Sequence, residues 1–355
     1  MSLEGPVLVV GAGLLGTSIG LALRDAGVDV ALTDLSTENL AIATGLGAAN
    51  RRPDDVEPRL VVVAVPPDHL AEEIARALRD TDAVVTDVGS VKTAPLAQVC
   101  ALVDEATLTR YVGSHPMAGS ERSGPFAASG ALFDGRPWAV TPHDTASESA
   151  VEAVTELARS CGATPLRFTP EEHDQAVART SHLPHLLAAL VAGRLTDAPR
   201  EHLALSGQGV RDVTRIAAGD PGLWQQIVAA NTAALTTLLH DVRDDVDSLL
   251  GALDRGDRDE VVRLLDRGVA GTAVIPGKHG GPVLAVGVLF VAVPDKAGEL
   301  ARLFADATDI GVNIEDIRID HDPGRPVGLV ELTVAETQVD HLLAALGERG
   351  WTAHR

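Results

Sequence analysis

Several residue types are scarce in this chain, and each scarcity narrows what the protein does. Only two cysteines occur, Cys100 and Cys161, far apart and without a Cys-x-x-Cys pair. That excludes a disulfide framework and a cysteine zinc site, and it fits a reducing cytoplasm. Aromatic residues make up 3%, so the cores must be aliphatic, built from Leu, Val, Ile and Ala. Basic residues are outnumbered: 29 Lys and Arg stand against 50 Asp and Glu, a net charge of −21. Nucleic acid and anionic membranes both need a basic face, so neither is the main partner. Short-period repeats and low-complexity tracts are also missing.

What remains is an ordinary globular composition, 45% hydrophobic and 22% charged over 355 residues, enough for two or three domains. The uncharged stretch from Gly5 to Leu23 has the length of a signal peptide or a membrane span. Glu4 leads it where a secretory signal wants basic residues, and Gly11, Gly13, Gly16 and Gly20 interrupt it. A buried strand followed by a turn and a helix fits better, in a soluble cytoplasmic protein.

Short apolar runs alternate with helical patterns through the first half. Strands are expected at Val7–Val10, Val28–Thr33, Leu60–Val65, Ala83–Asp87, Tyr111–Gly113 and Trp138–Thr141, with helices to Ala26, over Leu70–Leu78 and near Ser147–Cys161. Continuous apolar strands separated by helices imply a parallel sheet covered on both faces, a doubly wound α/β domain over residues 1–168. From Pro170 the pattern turns helical, as in Leu186-Leu187-Leu190-Val191 and Leu235-Leu238-Leu239-Val242, giving an all-helical domain over 169–270. The Gly- and Pro-rich stretch 271–284 reads as a linker. Residues 285–355 follow the order β-α-β-β-α-β, the ferredoxin-like α+β arrangement: strands Ala285–Val293, Val312–Asp320, Val327–Ala335 and Trp351–His354, helices Gly298–Thr308 and Gln338–Arg349.

Gly11-Ala12-Gly13-Leu14-Leu15-Gly16 fits the dinucleotide fingerprint G-x-G-x-x-G between the first strand and its helix. The first glycine makes the tight turn, the second lets the backbone approach a pyrophosphate, and the third packs helix on strand. The pyrophosphate then rests on free N–H groups at the helix start, Leu14 and Leu15 among the loop residues. Asp34 ends the second strand at about the 20-residue distance of an acid that binds ribose hydroxyls, which favours NAD over NADP. Arg51 and Arg52 are the residues that could still admit NADP. Val65-Pro66-Pro67 closes the fourth-strand region, either as a cofactor contact or as a proline stop after the strand.

Three further segments concentrate polar residues: Thr86-Asp87-Val88-Gly89-Ser90-Val91-Lys92; residues 113–124, including Ser114-His115-Pro116-Met117; and a helical set comprising His173-Asp174, Ser181-His182-Leu183-Pro184-His185 and residues 209–216. Together with the glycine loop, the motifs D-V-G-S-V-K, H-P-M-A-G-S-E-x-S-G, S-H-L-P-H and R-D-x-T-R-I-A…D-P-x-x-W make the sequence resemble the prephenate/arogenate dehydrogenases of tyrosine biosynthesis, in the family's order over about the first 280 residues. The C-terminal segment resembles an ACT domain.

The resemblance implies NAD-dependent oxidative decarboxylation of prephenate to 4-hydroxyphenylpyruvate, or of arogenate to tyrosine. Taking the hydroxyl proton as the hydride leaves calls for a neutral imidazole, and His115 at a strand end is the candidate acceptor. Ser90 resembles the family serine that binds the substrate hydroxyl and orients the histidine, and it could also cap a helix. Arg215 corresponds to the main carboxylate clamp, with Arg211 one helical turn away where the family often has Lys. His185 resembles the substrate-side histidine, held by a carboxylate at Asp174, while His182 is expected to be structural and Lys92 either structural or near the cofactor. No metal site is expected at His173, His182 and His185, because neither H-E-x-x-H nor a cysteine cluster accompanies them.

Asp295, Gly298 and Asn313 stand where an ACT domain contacts an amino acid, so tyrosine is a possible effector. A ligand-free pairing module is the other reading. A homodimer, or a multiple of one, is expected. Two readings compete with the leading one. One is an imine or β-hydroxyacid reductase of similar architecture, without the His115 and Arg215 motifs; the other is a non-catalytic sensor of NAD and an amino acid.

Overall fold

The computed structural model describes residues 3–118, 123–275, 285–321 and 327–355. The chain forms two compact units, residues 1–248 and 249–355. Strands β1 (Val7–Val10), β2 (Val30–Thr33), β3 (Leu60–Val63) and β4 (Val84–Asp87) form a wholly parallel sheet in the order β2-β1-β3-β4. Alternation along β3 shows how it is covered on both faces. Leu60 and Val62 join a core with Ile19 and Leu23 of helix α1 (Leu14–Asp25). Val61 and Val63 join another with Leu70, Ile74 and Leu78. Strands buried on both sides read as unbroken apolar runs for this reason. Connecting helices are α2 (Thr37–Gly45), α3 (Pro67–Asp80), α4 (Thr93–Cys100) and α5 (Glu105–Leu108). Val65-Pro66-Pro67 follows the third strand, β3, rather than closing a fourth.

The second half of this α/β region departs from one continuous parallel sheet. Strands β5 (Gly113–Pro116), β6 (Pro137–Thr141) and β7 (Thr164–Arg167) form a separate mixed sheet in which β5 and β6 are antiparallel. The return between them carries two 3-10 turns, Pro125–Ala127 and Gly130–Phe133, and no α-helix among the described residues. Parallel strands are usually joined by a crossover helix, and without one the chain doubles back. Tyr111, read as the start of the strand, instead makes a single parallel bridge to Val85 of β4. That bridge lays β5 alongside β4 in the same direction. Helix α6 (Glu148–Ser160) closes the core through Val151, Val154 and Leu157.

Helix α7 (Pro170–Val177) opens on a capping box in which Thr169 and Glu172 satisfy each other's backbone N–H. A π-type turn, Ala178–His182, leads into α8 (Leu183–Gly193), with Pro184 tolerated in its first turn. Then follow α9 (Arg200–Leu203), α10 (Gln208–Arg215), α11 (Pro221–Ala230), α12 (Thr232–Arg255) and α13 (Arg258–Ala273). The expected linker therefore begins later than residue 271: Gly271-Thr272-Ala273 continue α13, and Thr272 Oγ1 bonds the Val269 carbonyl as in any helical turn. Residues 276–284 of the linker lie outside the described residues.

The last strands and helices are β8 (Val286–Pro294), α14 (Glu299–Ile310), β9 (Ile314–His321), β10 (Val327–Ala335), α15 (Val339–Glu348) and β11 (Thr352–His354). Sheet order β11-β8-β10-β9 with antiparallel neighbours gives the ferredoxin-like arrangement. Alternate residues Leu289, Val291 and Val293 of β8 and Val330, Leu332 and Val334 of β10 meet Leu303, Leu342 and Leu346 of the two helices in one aliphatic core.

Candidate active site

The glycine loop is held by contacts that only glycines permit. Gly11 has φ +108°, and a Cβ there would lie 2.3 Å from the Ala64 carbonyl oxygen. A Cβ on Gly16 would lie 1.9 Å from the Gly11 carbonyl oxygen. Gly13 is the opposite case: it caps α1 with no side-chain bond, and a Cβ there would meet nothing within 4 Å. Open space before a helix whose first turn carries no acid suits a pyrophosphate, so the loop fits NAD. Leu14 and Leu15 open α1, and Val65 and exposed Pro66 continue from Ala64 beside the loop. Asp34 is half-buried at the end of β2. One of its carboxylate oxygens accepts from the Ala12 N–H at 2.5 Å and the other from the Ser36 N–H at 2.6 Å, so it also braces the loop. Arg51 pairs with Asp29 on the exposed surface.

The polar segments meet around a cluster of buried histidines. Strands β1, β3 and β4 run parallel, and the Tyr111–Val85 bridge carries β5 along the same way. The glycine loop after β1, Val65 after β3, Ser90 after β4 and His115 in β5 therefore share the carboxyl edge, where open α/β sheets bind ligands. His115 is 9% exposed. Its Nδ1 lies 3.0 Å from His173 Nε2, and His173 Nδ1 lies 2.8 Å from Asp174 Oδ1. Burial pushes the His115 imidazole well below its ordinary value, helped by His173, Lys92 and His182. Burial likewise lowers His173 against the opposing pull of Asp174. Burial alone would raise Asp174, but hydrogen bonds from His173, Thr93 and Lys92 outweigh it and keep the carboxyl low.

Asp174 does not hold His185, as the sequence reading had it. Its Oδ1 accepts from the Lys92 N–H at 2.8 Å and its Oδ2 from the Thr93 N–H at 2.9 Å. The free N–H groups and positive end of α4 draw the carboxylate there, and His173 shares it. His185 instead stacks on Trp224 at 3.5 Å between ring centroids, 8° from parallel, and bonds the Ile216 backbone. Ser90 is half-buried and is not a helix cap, because the N-cap of α4 falls on Lys92. Arg211 and Arg215 lie one turn apart on α10 as expected, exposed to solvent rather than within the histidine cluster. Residues 119–122 of the H-P-M-A-G-S-E-x-S-G motif lie outside the described residues.

Sequence reasoning passed over two contributors, Tyr111 and Asn231, and gave Lys92 and His173 no part in the chemistry. Lys92 is 1% exposed and its ammonium pairs with Asp87 while donating to the Ser114 carbonyl at 2.7 Å, which ties β4 to β5 directly behind His115. Tyr111 donates to the same Asp87 at 2.8 Å. Asn231 donates its amide to the Asp174 carbonyl at 2.8 Å and lies 3.2 Å from His182 Nδ1. His173 was noted only as part of a motif. Among the described residues no group of His, Cys, Asp and Glu could hold a metal ion, and no helix is long and apolar enough to cross a membrane.

In the C-terminal unit the three effector candidates are not brought together. Asp295 and Gly298 (φ +93°) follow the end of β8. Asn313 precedes β9, whose first residue pairs with Val334, itself opposite Gly287 near the start of β8. In a β-α-β unit the second strand starts at the end where the first began. A nine-residue strand thus separates them by roughly 25 Å.

Comparison with known proteins places this geometry in a family. Residues 19–166 match the prephenate dehydrogenase nucleotide-binding domain, and residues 169–267 match the prephenate dehydrogenase dimerization domain. A probable prephenate dehydrogenase of Streptomyces niveus, NovF, is 38% identical over 98% of this chain and 99% of its own length. The crystal structure of prephenate dehydrogenase from Aquifex aeolicus with hydroxyphenyl propionate and NAD+ is 26% identical, with a TM-score of 0.69 over 78% of this chain and 99% of that one. Synechocystis arogenate dehydrogenase is 25% identical, with a TM-score of 0.64 over 75% and 98%. On these matches the chain belongs to the prephenate dehydrogenase family.

Proposed function

We propose that the chain oxidises prephenate to 4-hydroxyphenylpyruvate with loss of CO2, using NAD, in the cytoplasm. The observation that carries this is His115, a buried imidazole kept neutral, placed on the sheet edge that also carries the glycine loop. The helix α1 N-terminus and the loop N–H groups of Gly13, Leu14 and Leu15 hold the pyrophosphate, and Asp34 the adenosine ribose. A 2′-phosphate would meet the Asp34 carboxylate, which disfavours NADP. NAD held there would supply the acceptor for the hydride of the hydroxyl-bearing ring carbon.

His115 accepts the hydroxyl proton, and Ser90 holds the substrate oxygen towards it. Removing that proton makes the carbonyl as hydride departs; the electron pair freed by CO2 loss then completes the aromatic ring and turns that oxygen into a phenolate, which takes the proton back from His115. Arg215, with Arg211 behind it, binds the substrate carboxylates, since guanidinium forks match carboxylate geometry. His185, held flat by Trp224, lines the substrate side. An arogenate substrate is the second reading, favoured by the similarity to Synechocystis arogenate dehydrogenase. Mixing the protein with NAD and each substrate decides between them: the proposal expects faster nicotinamide reduction with prephenate, and faster reduction with arogenate would overturn it.

The ferredoxin-like unit is proposed to be an ACT-type module that takes tyrosine at the Asp295–Gly298 loop, with inhibition as the consequence. Asn313, at the far end of the sheet, would reach the same molecule only from a second copy. A homodimer is supported by the match to a dimerization domain and by apolar residues left exposed at helical spacing, Leu250 and Leu253 on α12 and Val262, Leu265 and Val269 on α13.

A further inference from the structure

We propose that His173 is a positioning residue that fixes the tautomer of His115: it accepts a hydrogen bond from His115 Nδ1–H and so leaves His115 Nε2 as the lone pair that takes the substrate's hydroxyl proton. This rests on the reading of His115 as the base. Three groups stand in series, Asp174 Oδ1, His173 and His115, at 2.8 and 3.0 Å.

Asp174 already accepts backbone N–H bonds from Lys92 and Thr93, the arrangement of an ionised carboxylate at a helix start. An ionised carboxylate has only acceptors, so the 2.8 Å contact to His173 Nδ1 requires a proton on that nitrogen. His173 is 2% exposed, and burial favours its neutral ring. A neutral imidazole with Nδ1 protonated has a lone pair at Nε2. The 3.0 Å contact then requires the proton on His115 Nδ1, because two facing lone pairs would repel. His115, also neutral, is left with its lone pair at Nε2.

The surroundings allow no easy alternative. Lys92 has its ammonium committed to Asp87 and the Ser114 carbonyl, and it disfavours a positive charge on either ring. His182 has its Nδ1 beside the Asn231 amide, which also donates to the Asp174 carbonyl and so holds α7 in place. The ring edge of His115 meets His173 at 71°, which fixes the imidazole plane as well as the proton. When His115 takes the substrate proton, its Nδ1–H bond to His173 persists and strengthens, and the Asp174 charge lies one ring further along.

The test combines a spectroscopic and a kinetic readout. In the full-length protein with 15N-labelled histidine, the His115 ring, assigned by its loss in His115→Asn, should titrate and couple as the Nδ1–H tautomer at neutral pH. An Nε2–H tautomer would overturn the inference. His173→Leu should lower kcat by about 10- to 100-fold, part of the ~10²–10⁴ a positioned base supplies, with KM changed by less than about threefold. His173→Gln, whose amide oxygen can accept from His115 Nδ1–H, should recover at least about fivefold of that loss. A silent His173→Leu beside an inactive His115→Asn would sink the positioning role alone. A silent His115→Asn would sink the base itself.

Discussion

A histidine that removes a proton at neutral pH must be unprotonated before the substrate arrives, and at position 115 burial does most of this work. The competent form is the neutral one, so activity is lost as pH falls through the His115 pKa. The kcat/KM profile for the leading substrate should stay flat from neutrality down past 6.5 and fall only well below it; a midpoint at or above 6.5 would contradict the assignment. The same burial affects stability with a definite sign. His182 is held down to about 4, so the unfolded chain takes up its proton first as pH drops. Its contribution is full above about 6.5 and is lost between there and 4, by up to ~1.4 kcal/mol per pH unit. Denaturant unfolding at mildly acid pH should show that decline, and a stability unchanged from neutral pH to 4.5 would refute it. Arg215→Ala should raise KM at least tenfold with a smaller effect on kcat, since a lost guanidinium–carboxylate pair costs on the order of 1.5–3 kcal/mol.

At the scale of elements, the glycine loop was legible in the sequence because its requirements are local: a strand, three glycines and a helix between Val7 and Asp25. The placement of Asp174 was not. Its partners, Lys92 and Thr93, lie some eighty residues away on another helix start, and no spacing rule connects α7 to α4. The contact of His173 with His115 was hidden for the same reason: which of two neighbouring polar residues faces β5 is decided by packing. The C-terminal β-α-β-β-α-β order followed from alternation alone, yet the distance between Asp295 and Asn313 needed the strand register. Two substitutions test elements directly. Gly16→Ala should abolish NAD binding in a fluorescence titration, because its Cβ would strike the Gly11 carbonyl and force α1 off the sheet. Lys92→Met should lower stability by about 3–5 kcal/mol in chemical denaturation, since it strands the buried Asp87 carboxylate. A loss under 1 kcal/mol would show that the pair is dispensable.

Taken whole, the molecule combines a net charge of −21 with a site for two anionic small molecules. We propose that the site resolves this locally, with the helix α1 N-terminus and the α10 arginines, while the acid excess is spread over the surface. The apolar stripes on α12 and α13, with Leu265 and Val269 about two-thirds exposed, are the surface the proposed homodimer would bury. Sedimentation should give a dimer or a multiple of one, and Leu250→Lys with Leu265→Lys should shift it towards monomer; a wild-type monomer would refute the pairing. The reaction proposed for this chain is NAD reduction at the expense of prephenate with His115 as the base. It is tested most directly by following nicotinamide reduction with prephenate in the wild type and in a folded His115→Asn variant. NADH and 4-hydroxyphenylpyruvate are expected in equal amounts from the wild type, with a kcat at least about a hundredfold lower in the variant. No reduction by the folded wild type, or equal turnover by both, would contradict it.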